Sequence, residues 1–432
     1  MSKPKTILVW FKSDLRLADN ETWFRACQDG DLVIPVFIFD PRQFKPHPLG
    51  FNRVGAFRAQ FLLESVGALK QNLASRGSDL IVRIGEPEFI INKIASDYKA
   101  YAVYTAQEVT FDEVSIMSKM ELGLNPLSVS LKQFWTSTLI HEEDIPWPIQ
   151  RLPDMFTQFR KEVESESKVR AVFPIPETKP LSEIDAGLIP ALEELGLTQI
   201  ALDDRSVIDY GGGEEEAWRR LNEYVWKNDL LQHYKETRNG LIGRDYSSKL
   251  SLALAYGCIS PKSVYHEVKK YEAKRLKNDS TYWLIFELLW RDYFRFVAKK
   301  YGSGIFHERG IRNRPVQWKS DREVFEKWRL GETGVRFVDA NMKELLHTGY
   351  MSNRGRQNVA SYLTKDLGIN WTFGAAWFES QLIDYDPCSN WLNWAYVAGV
   401  GNDPREDRYF NIESQVRKYD PQGIYSSRWM DQ

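Results

Sequence analysis

The first 135 residues alternate between two sequence patterns, and this alternation restricts the fold more than any other feature of the chain. Short runs rich in β-branched and aromatic residues, typical of buried parallel strands, occur at residues 6–11, 33–39, 79–84, 101–105 and 127–133. Stretches with apolar residues at helical spacing lie at residues 19–28, 54–76 and 88–98, and Gly77 is a candidate helix-ending residue. Strands that alternate with crossover helices predict a doubly wound parallel α/β domain, which we assign to residues 1–138.

The rest of the chain has a different character. Residues 139–213 are rich in Pro and Glu and end at Gly211-Gly-Gly213, which predicts a long interdomain connector with short helices on the surface. No strand pattern follows Glu214, and residues 282–297 carry a long apolar stripe at helical spacing. We therefore expect an all-α domain over residues 214–432. Neither G-x-G-x-x-G nor G-x-x-x-x-G-K occurs in the α/β domain, so those phosphate-binding loops are not predicted there.

Charge and aromatic residues are concentrated towards the end of the chain. The net charge is −2, but residues 224–432 hold 32 Lys and Arg against 25 Asp and Glu, together with ten of the 15 Trp. Basic charge with aromatic residues is compatible with a nucleic-acid surface, where phosphates contact Lys and Arg and bases stack. A modest positive charge is also ordinary for a domain of this size, so composition alone does not identify a partner.

The cysteines and the N-terminus indicate the cellular compartment. Cys27, Cys258 and Cys388 are far apart and the six His are scattered, which predicts no disulfide framework and no metal site. The first strand follows the N-terminus directly, without the pattern of a signal or transit peptide, and no apolar run is long enough to span a membrane. We therefore expect a cytoplasmic protein that does not associate with membranes and is a monomer.

Residues 353–411 are unusually dense in Asn, Asp, Arg and Trp for a helical segment. Arg and Asp are rarely buried unless paired, and Trp is mostly used in cores or stacking surfaces. Asn353, Arg356 and Gln357 are three and four residues apart, so all three can face one cavity. This pattern predicts a polar floor for a large planar ligand, walled by aromatic side chains.

Two aspartates lie close together in the same segment. Asp384 and Asp386 flank a turn that precedes Asn390, and Arg356 is a candidate ion-pair partner for one of them. A metal pair or an acid–base dyad is the alternative interpretation of two neighbouring carboxylates. The lack of a nearby His and the available Arg favour the ion pair.

Ser247, Ser248 and Lys249 form a candidate anion site at a predicted helix start. Hydroxyl groups, exposed N–H groups and the helix dipole together favour a phosphate. The alternative is that the serines only cap the helix.

Glu287, Trp290 and Arg291 share one face of the predicted helix at residues 282–297. An ionisable pair around a Trp in an apolar helix is costly to bury without a polar partner. These residues therefore predict either the wall of a ligand site or a buried helix stabilised by a salt bridge.

These motifs resemble those of the photolyase/cryptochrome flavoproteins, most closely the DASH cryptochromes. The resemblance extends from Thr237 to Tyr425, and more loosely from Thr6 onward. It rests on motifs that occur in order, namely Thr237-Arg-Asn-Gly, Asp245-Tyr-Ser-Ser-Lys-Leu-Ser, Glu287-Leu-Leu-Trp-Arg-Asp-Tyr-Phe, Phe337-Val-Asp-Ala-Asn-Met, Met351-Ser-Asn-Arg-Gly-Arg-Gln and Asp384-Tyr-Asp-Pro. It implies FAD as the cofactor of the helical domain, with Arg356 and Asp384 as an ion pair beside the isoalloxazine.

The resemblance also implies roles for individual residues. The positions that match those holding the FAD pyrophosphate are Tyr234, Ser247, Ser248, Lys249, Leu250 and Ser251. The positions that match those lining a U-shaped FAD are Glu287, Arg291, Asn353, Arg356, Asp384, Asp386 and Asn390, the last facing flavin N5. The chain of tryptophans that photoreduces the flavin is matched by Trp394, Trp371 and Trp318. The residues matched to lesion contacts are Glu287, Trp290, Gln357 and Tyr396, and those matched to catalysis are Glu287, Trp290, Asn353 and Asn390.

The implied activity is light-driven repair of cyclobutane pyrimidine dimers in single-stranded or looped DNA, by electron transfer from excited, reduced FAD. A (6-4) photolyase needs His where this chain has Asn353 and Gln357. Dimer photolyases that act on duplex usually have Met in place of Gln357 and Trp in place of Tyr396. A more polar pocket offsets less of the cost of flipping a dimer out of a duplex, which implies a single-strand preference.

The resemblance leaves three points to be tested. Glu108 matches the residue that contacts the antenna pigment 5,10-methenyltetrahydrofolate in DASH proteins. A blue-light photoreceptor that binds DNA or a protein partner without repair is an alternative, because it needs the same FAD and tryptophan chain. A nucleotide-binding α/β protein that does not use light is a further alternative.

Overall fold

The computed structural model describes residues 4–181, 184–405 and 408–431. Its sheet consists of strands β1 Thr6–Phe11, β2 Leu32–Phe39, β3 Ile81–Ile84, β4 Ala102–Ala106 and β5 Ser130–Phe134. The strand order is β3-β2-β1-β4-β5 and each neighbouring pair is parallel. The doubly wound parallel sheet predicted from the sequence is therefore confirmed.

The α-helices of the first domain and of the connector are α1 Glu21–Asp29, α2 Ala56–Ala74, α3 Pro87–Asp97, α4 Phe111–Leu124 and α5 Phe156–Glu166. Those that follow are α6 Glu214–Asn222, α7 Tyr234–Thr237, α8 Ser251–Ala255, α9 Pro261–Lys274, α10 Asp279–Tyr301, α11 Arg322–Leu330, α12 Arg336–Thr348, α13 Asn353–Ser361, α14 Trp371–Gln381, α15 Pro387–Ala398, α16 Ile412–Tyr419 and α17 Ile424–Met430. After residue 214 the described residues contain no strand, only an isolated bridge between Lys319 and Ile369, so the all-α domain is confirmed.

Two elements of the first domain differ from the sequence prediction. The strand expected at residues 127–133 begins later, because Asn125–Leu127 forms a 3-10 turn and Ser128 takes a left-handed conformation with φ 57°. Helix α4 has no counterpart among the predicted elements. Its apolar residues occupy both faces, since Phe111 is exposed while Met117 and Met120 are buried, and this obscures the helical period.

The sheet is buried on both faces. Ile7, Val9 and Phe11 of β1 belong to a core that continues into the helical domain, whereas Leu8 and Trp10 pack on the opposite face with residues of α3 and α4. Successive residues of a strand point to opposite faces, so an unbroken apolar run places side chains in both layers. The first of these cores joins the two domains.

The connector is more deeply packed than the expected surface segment. Phe156, Phe159 and Val163 of α5 and Tyr210 further on are buried in the core that joins the domains. The prediction of a surface location is therefore wrong for these residues, because their apolar spacing was masked by the surrounding Pro and Glu. The boundaries of the connector stay a prediction.

Helix α10 is the central element of the helical domain. Asn278 caps its start in a capping box with Thr281, and Gly302 ends it at φ 54°. Ser352 caps α13 and Asp386 caps α15, whose first residue is Pro387. These caps determine where α10, α13 and α15, the helices that carry polar residues of the predicted site, begin. None of the helices in the described part of the chain combines the length and apolar character that a membrane crossing requires.

Candidate functional site

Two cavities of about 1100 and 1220 Å³ meet beside α10, α13 and α15. The residues that border both are Arg238, Glu287, Asn353, Arg356, Asp384, Asp386 and Ser389. The two cavities therefore form one bent cleft, with a first arm towards α8 and a second arm that opens beside Trp290 and Tyr396. The bend of the cleft suits a folded ligand better than an extended one.

The first arm is lined by Ser247 and Ser248 of the loop before α8 and by Ser251, the first residue of that helix. Neither Ser247 nor Ser248 occupies the cap position of α8, which is Leu250. Ser248 Oγ accepts a long hydrogen bond, of 3.5 Å, from the Leu250 N–H, so of the two serines only Ser248 contacts the helix start. Arg220, fully buried, donates from Nε to the Ser248 carbonyl at 3.0 Å and from Nη2 to the Ser247 carbonyl at 3.1 Å, and so fixes the loop.

Lys249 has partners that the sequence did not indicate. Its backbone is left-handed, with φ 59°, and its side chain is buried. The ammonium lies 3.1 Å from the centroid of the Tyr246 ring and 3.3 Å from the Tyr350 hydroxyl. Burial lowers the pKa of Lys249 well below its usual range, opposed by the Glu344 carboxylate. The lysine thus borders the first arm from within an aromatic cage.

The predicted ion pair joins Arg356 to Asp384. Nη2 of Arg356 lies 2.9 Å from both carboxylate oxygens, and its Nε donates to the Met351 carbonyl at 2.9 Å. The Asp384 side chain is only 3% exposed, so little solvent screens the pair. Asn390 lies nearby on α15 and donates from Nδ2 to the Ala375 carbonyl at 3.0 Å. Together these residues form a polar floor at the junction of the two arms.

Glu287 and Arg291 both line the first arm but do not pair with each other. The ionic partner of Glu287 is Arg238, and burial raises the pKa of Glu287 while Arg238 opposes that shift. Arg291 donates to the carbonyls of Ser137 and Leu254. The interpretation of a salt-bridged helix therefore applies only to Glu287, and its partner comes from outside α10.

The second arm has a flat aromatic wall and two restrained polar side chains. Trp290 stacks on Phe156 with ring centroids 3.7 Å apart and an interplanar angle of 14°. Tyr396 stands perpendicular to Trp290 at 6.0 Å, and its hydroxyl accepts from Arg408 at 3.1 Å. Gln357 accepts at Oε1 from Arg354 at 2.8 Å, and it lines the same arm.

Of the three tryptophans predicted to form a chain, Trp394 and Trp371 are buried and Trp318 lies nearer the surface. Trp394 lines the arm, and its ring lies so close to Gly374 of α14 that a Cβ there would come within 2.2 Å. Trp371 opens the same helix and donates to the Glu308 carbonyl at 2.9 Å. Trp318, which is partly exposed, donates to the same carbonyl at 3.2 Å.

A third cavity, of about 1140 Å³, lies between the two domains. The sequence-predicted Glu108 lines it, with Oε2 bound by Arg295 of α10 at 2.7 Å and Oε1 3.9 Å from Lys12. Asp386 borders this cavity as well as both arms of the cleft. One carboxylate is therefore shared by all three spaces.

Several residues of the site were not predicted from the sequence. Arg238 and Arg408 border the second arm, while Arg220 and Tyr350 support the first. Arg238 belongs to the motif that begins at Thr237, which was the one available signal for it. The others are distant in sequence from the residues they contact, and a single Arg in a helix (Arg220) or a single Tyr or Arg in a loop (Tyr350, Arg408) carries no pattern of its own.

The fold and the cleft define a class of flavoprotein in which an α/β domain precedes a helical domain that binds FAD. Residues 7–180 match the family described as DNA photolyase, and residues 283–432 match the FAD binding domain of DNA photolyase. The chain belongs to the photolyase/cryptochrome family, and its similar relatives are DASH cryptochromes.

Three relatives illustrate this similarity. The cryptochrome DASH of Gloeobacter violaceus is 51% identical over 427 residues, which cover 99% of this chain and 85% of the relative. The chloroplastic/mitochondrial cryptochrome DASH of Oryza sativa subsp. japonica is 48% identical, over 98% of this chain and 76% of the relative. The crystal structure of the Synechocystis sp. PCC6803 cryptochrome superposes with a TM-score of 0.96 at 49% identity, over 100% of this chain and 90% of that one.

The residues of the cleft fit FAD. Hydroxyl groups and a backbone loop line one arm, and a buried ion pair with amide groups forms the floor at the bend. A buried Arg–Asp pair beside an open cavity is costly unless a polar ligand completes its hydrogen bonds. The FAD binding domain identified by family similarity is therefore matched by the chemistry of this cleft.

Proposed function

We propose that the protein is a blue-light-dependent photolyase of the DASH type, which repairs cyclobutane pyrimidine dimers in single-stranded or looped DNA. The observation that carries this proposal is the position of Glu287, which borders both arms of the cleft. A carboxyl group there can contact FAD on one side and a flipped dimer on the other. A protein that only sensed light would not need it beside an aromatic wall such as Trp290.

The FAD contacts are assigned as follows. The pyrophosphate would be held by Tyr234, Ser247, Ser248, Lys249, Leu250 and Ser251. Lys249 would act mainly through its backbone, because its side-chain nitrogen is occupied by Tyr246 and Tyr350. The remaining contacts would come from Glu287, Arg291, Asn353, Arg356, Asp384, Asp386 and Asn390. The ion pair of Arg356 and Asp384 would meet the polar edge of the ring, with Asn390 facing N5.

Bound FAD, once reduced and excited by blue light, supplies the electron that splits the cyclobutane ring. Glu287 would donate a hydrogen bond to the dimer as negative charge develops there. Burial raises the pKa of Glu287 and so favours its protonated form, although the charge of Arg238 opposes this shift. Trp290, supported from behind by Phe156, would give the flipped dimer a rigid surface to pack against. Trp394, Trp371 and Trp318 would carry electrons from the surface to the cleft when the cofactor must be reduced.

The single-strand preference is supported by the restraints on Gln357 and Tyr396. Each is held by an arginine, Gln357 by Arg354 and Tyr396 by Arg408. The polar groups that the pocket offers to a dimer are therefore already hydrogen-bonded within the protein. The pocket also offers less aromatic surface than it would with Trp in place of Tyr396. Fewer favourable contacts then offset the few kcal/mol needed to flip a base from an intact duplex.

We further propose that the third cavity binds 5,10-methenyltetrahydrofolate as an antenna. Trp10 and Phe37 provide flat apolar walls, and Glu108 provides a hydrogen-bond acceptor for the pterin ring. Because Arg295 already binds Oε2 of Glu108, Oε1 is the oxygen available to a ring N–H.

The protein is proposed to act as a monomer in the cytoplasm. The three cysteines are free and buried, which suits a reducing compartment. The similar rice protein is named chloroplastic/mitochondrial, so fractionation of the native organism is the appropriate test.

The decisive experiment measures blue-light repair of a defined thymine dimer in matched single-stranded and duplex oligonucleotides, with chemically pre-reduced protein. Repair restricted to the single strand is the expected result. Equal repair of both substrates would contradict the argument from Gln357 and Tyr396. Absence of repair from protein that binds FAD and photoreduces it would favour the photoreceptor.

A further inference from the structure

Trp391 of α15 lies beside the middle member of the predicted tryptophan chain. Its ring centroid is 5.8 Å from that of Trp371, at an interplanar angle of 76°. Trp391 Nε1 lies 3.2 Å from the Tyr385 hydroxyl and 3.2 Å from Oε2 of Glu379. The Tyr385 hydroxyl in turn donates to the same Glu379 oxygen at 2.9 Å. Two aromatic side chains and a carboxylate thus continue from Trp371 in a second direction.

The electrostatic surroundings favour oxidation of Trp391. The indole N–H groups of Trp371 and Trp318 meet a neutral backbone carbonyl, whereas that of Trp391 meets a carboxylate. A negative charge within hydrogen-bond distance stabilises a positively charged indole. The Glu379 side chain is 13% exposed, so solvent screens this attraction only partly, and Arg53 at 3.3 Å from the other oxygen reduces it.

Tyr385 is placed to lose an electron and a proton together. The guanidinium of Arg58 lies 4.2 Å from the Tyr385 ring centroid, which opposes a positively charged ring. Oε2 of Glu379 can accept the phenolic proton across the existing 2.9 Å hydrogen bond. Tyr385 also borders both the second arm and the third cavity, which gives a small reductant a route to it.

We propose that Trp391 and Tyr385 form a second branch of the electron-transfer chain, which starts at Trp371; this inference rests on the tryptophan chain of the proposed function. Oxidised Trp371 takes one electron from Trp391, which in turn takes one from Tyr385. The phenolic proton of Tyr385 passes to Glu379, leaving a neutral tyrosyl radical. A thiolate in solution then returns one electron to Tyr385 and becomes a thiyl radical, while Glu379 returns the proton.

The test blocks the surface branch and looks for the radical of the second one. In the flavin-loaded Trp318→Phe variant, illumination should give a tyrosyl signal in electron paramagnetic resonance, narrowed when ring-deuterated tyrosine is incorporated. The signal should be lost on adding Tyr385→Phe or Trp391→Phe. Adding Glu379→Gln, which keeps the hydrogen-bonding shape but removes the charge and the proton acceptor, should replace the tyrosyl signal with a tryptophan radical. The branch is refuted if Trp318→Phe gives no tyrosyl signal, or if the signal survives in Tyr385→Phe.

Trp377→Phe is the matched control. Trp377 is buried and lies on α14, the helix that carries Trp371 and Glu379, but it packs on Phe51 and Arg329. It should leave the radicals unchanged. A tyrosyl radical that persists in Trp371→Phe would refute the branch point while the chain from Trp394 stands. Wild-type photoreduction in Trp394→Phe would refute the chain itself. Mass spectrometry after illumination without thiol should find oxidation products at Trp391 and Tyr385 of wild-type protein; their absence would count against the branch.

Discussion

Glu287 is held between two environments, the polar floor at the bend of the cleft and the aromatic wall of the second arm. Glu287→Gln preserves its shape and one hydrogen-bond donor but removes its acid function. We expect FAD loading to be unchanged and the rate of dimer repair to fall by about 10²-fold, in line with the loss of a positioned acid. Single-turnover repair by pre-reduced protein measures this, and an unchanged rate would rule out the role given to Glu287.

The same residue should give repair a pH dependence. Because burial raises the pKa of Glu287, its protonated, donating form persists to higher pH than that of an ordinary Glu. We expect the wild-type repair rate to fall as pH rises and the carboxyl ionises, whereas Glu287→Gln should show a flat profile. Parallel profiles for the two proteins would assign the titration to another group.

We expect Trp394 to be required for photoreduction of FAD but not for dimer repair by protein that is already reduced. Trp394→Phe removes the indole nearest the cleft, so photoreduction should be lost, while chemically pre-reduced protein should still repair dimers. Absorption spectra during illumination and a repair assay on the same sample measure both. Inactive pre-reduced protein with FAD bound would mean that Trp394 has been assigned to the wrong role.

At the scale of single residues, sequence spacing predicted which residues of one helix face the same cavity. It did not predict contacts between residues of different segments. Asn353, Arg356 and Gln357 could be grouped because positions three and four apart share a helix face. The choice of Asp384 over Asp386 as the partner of Arg356 could not, since it depends on how the turn before α15 is capped. Nothing in the sequence around Lys249 indicates its aromatic cage.

Helix α10 also binds the start of the connector through a buried carboxyl. Asp292 accepts from the N–H groups of Leu139 and Ile140 at 2.9 and 2.8 Å, and it is fully buried. Burial raises the pKa of Asp292 to about 7, although both backbone bonds oppose the shift. Its protonated form therefore contributes stability that is fully present below the pKa of the unfolded chain, about 4, and is lost as pH rises through 7.

Asp292→Asn tests this linkage. The amide cannot accept both N–H groups, so the free energy of unfolding should fall by about 1–3 kcal/mol. The deficit relative to wild type should shrink as pH rises from 5 to 8, because only the wild-type protein loses stability over that range. Denaturant unfolding at several pH values measures it. A deficit that stays constant from pH 5 to 8 would show that the native carboxyl is already ionised over that range.

The elements that were predicted well from the sequence are helices with one clear apolar face and strands that are continuous apolar runs. Strands β1 and β2 are continuous apolar runs, and α10 is long and capped by Asn278. Helix α4 escaped prediction because exposed Phe111 and Leu122 break its pattern. Short helices were expected in the connector, but the burial of α5 was not predicted, because tertiary packing, and not local sequence, decides that its apolar residues are buried.

The distribution of charge over the whole molecule predicts how DNA binding should respond to salt. If the basic helical domain contacts three phosphates of a single strand, the logarithm of the association constant should fall against the logarithm of salt concentration with a slope of about −2. Fluorescence anisotropy with a dimer-containing oligonucleotide measures the slope. An undamaged oligonucleotide of the same length should show the same slope at a lower affinity. An association constant that does not depend on salt concentration would exclude binding through phosphate contacts.

The spatial arrangement of the three tryptophans also depends on the fold of the whole chain. Trp318, Trp371 and Trp394 lie on separate segments, and two of them are brought together by the carbonyl of a fourth residue, Glu308. No periodicity connects residues that meet only in the folded chain. Resemblance to a known family named them, and the fold brings Trp318 and Trp371 to one carbonyl group.

Asp386 belongs at once to both arms of the cleft and to the cavity between the domains. Inside a protein a charge is felt over several ångströms, so a molecule that enters one of these spaces alters the potential in the other two. Binding equilibria that share a group are reciprocal: whatever factor an antenna pigment applies to the affinity for FAD, FAD must apply to the affinity for the pigment. The two chromophores should therefore be titrated together, since a dissociation constant for either one has meaning only at a stated occupancy of the other.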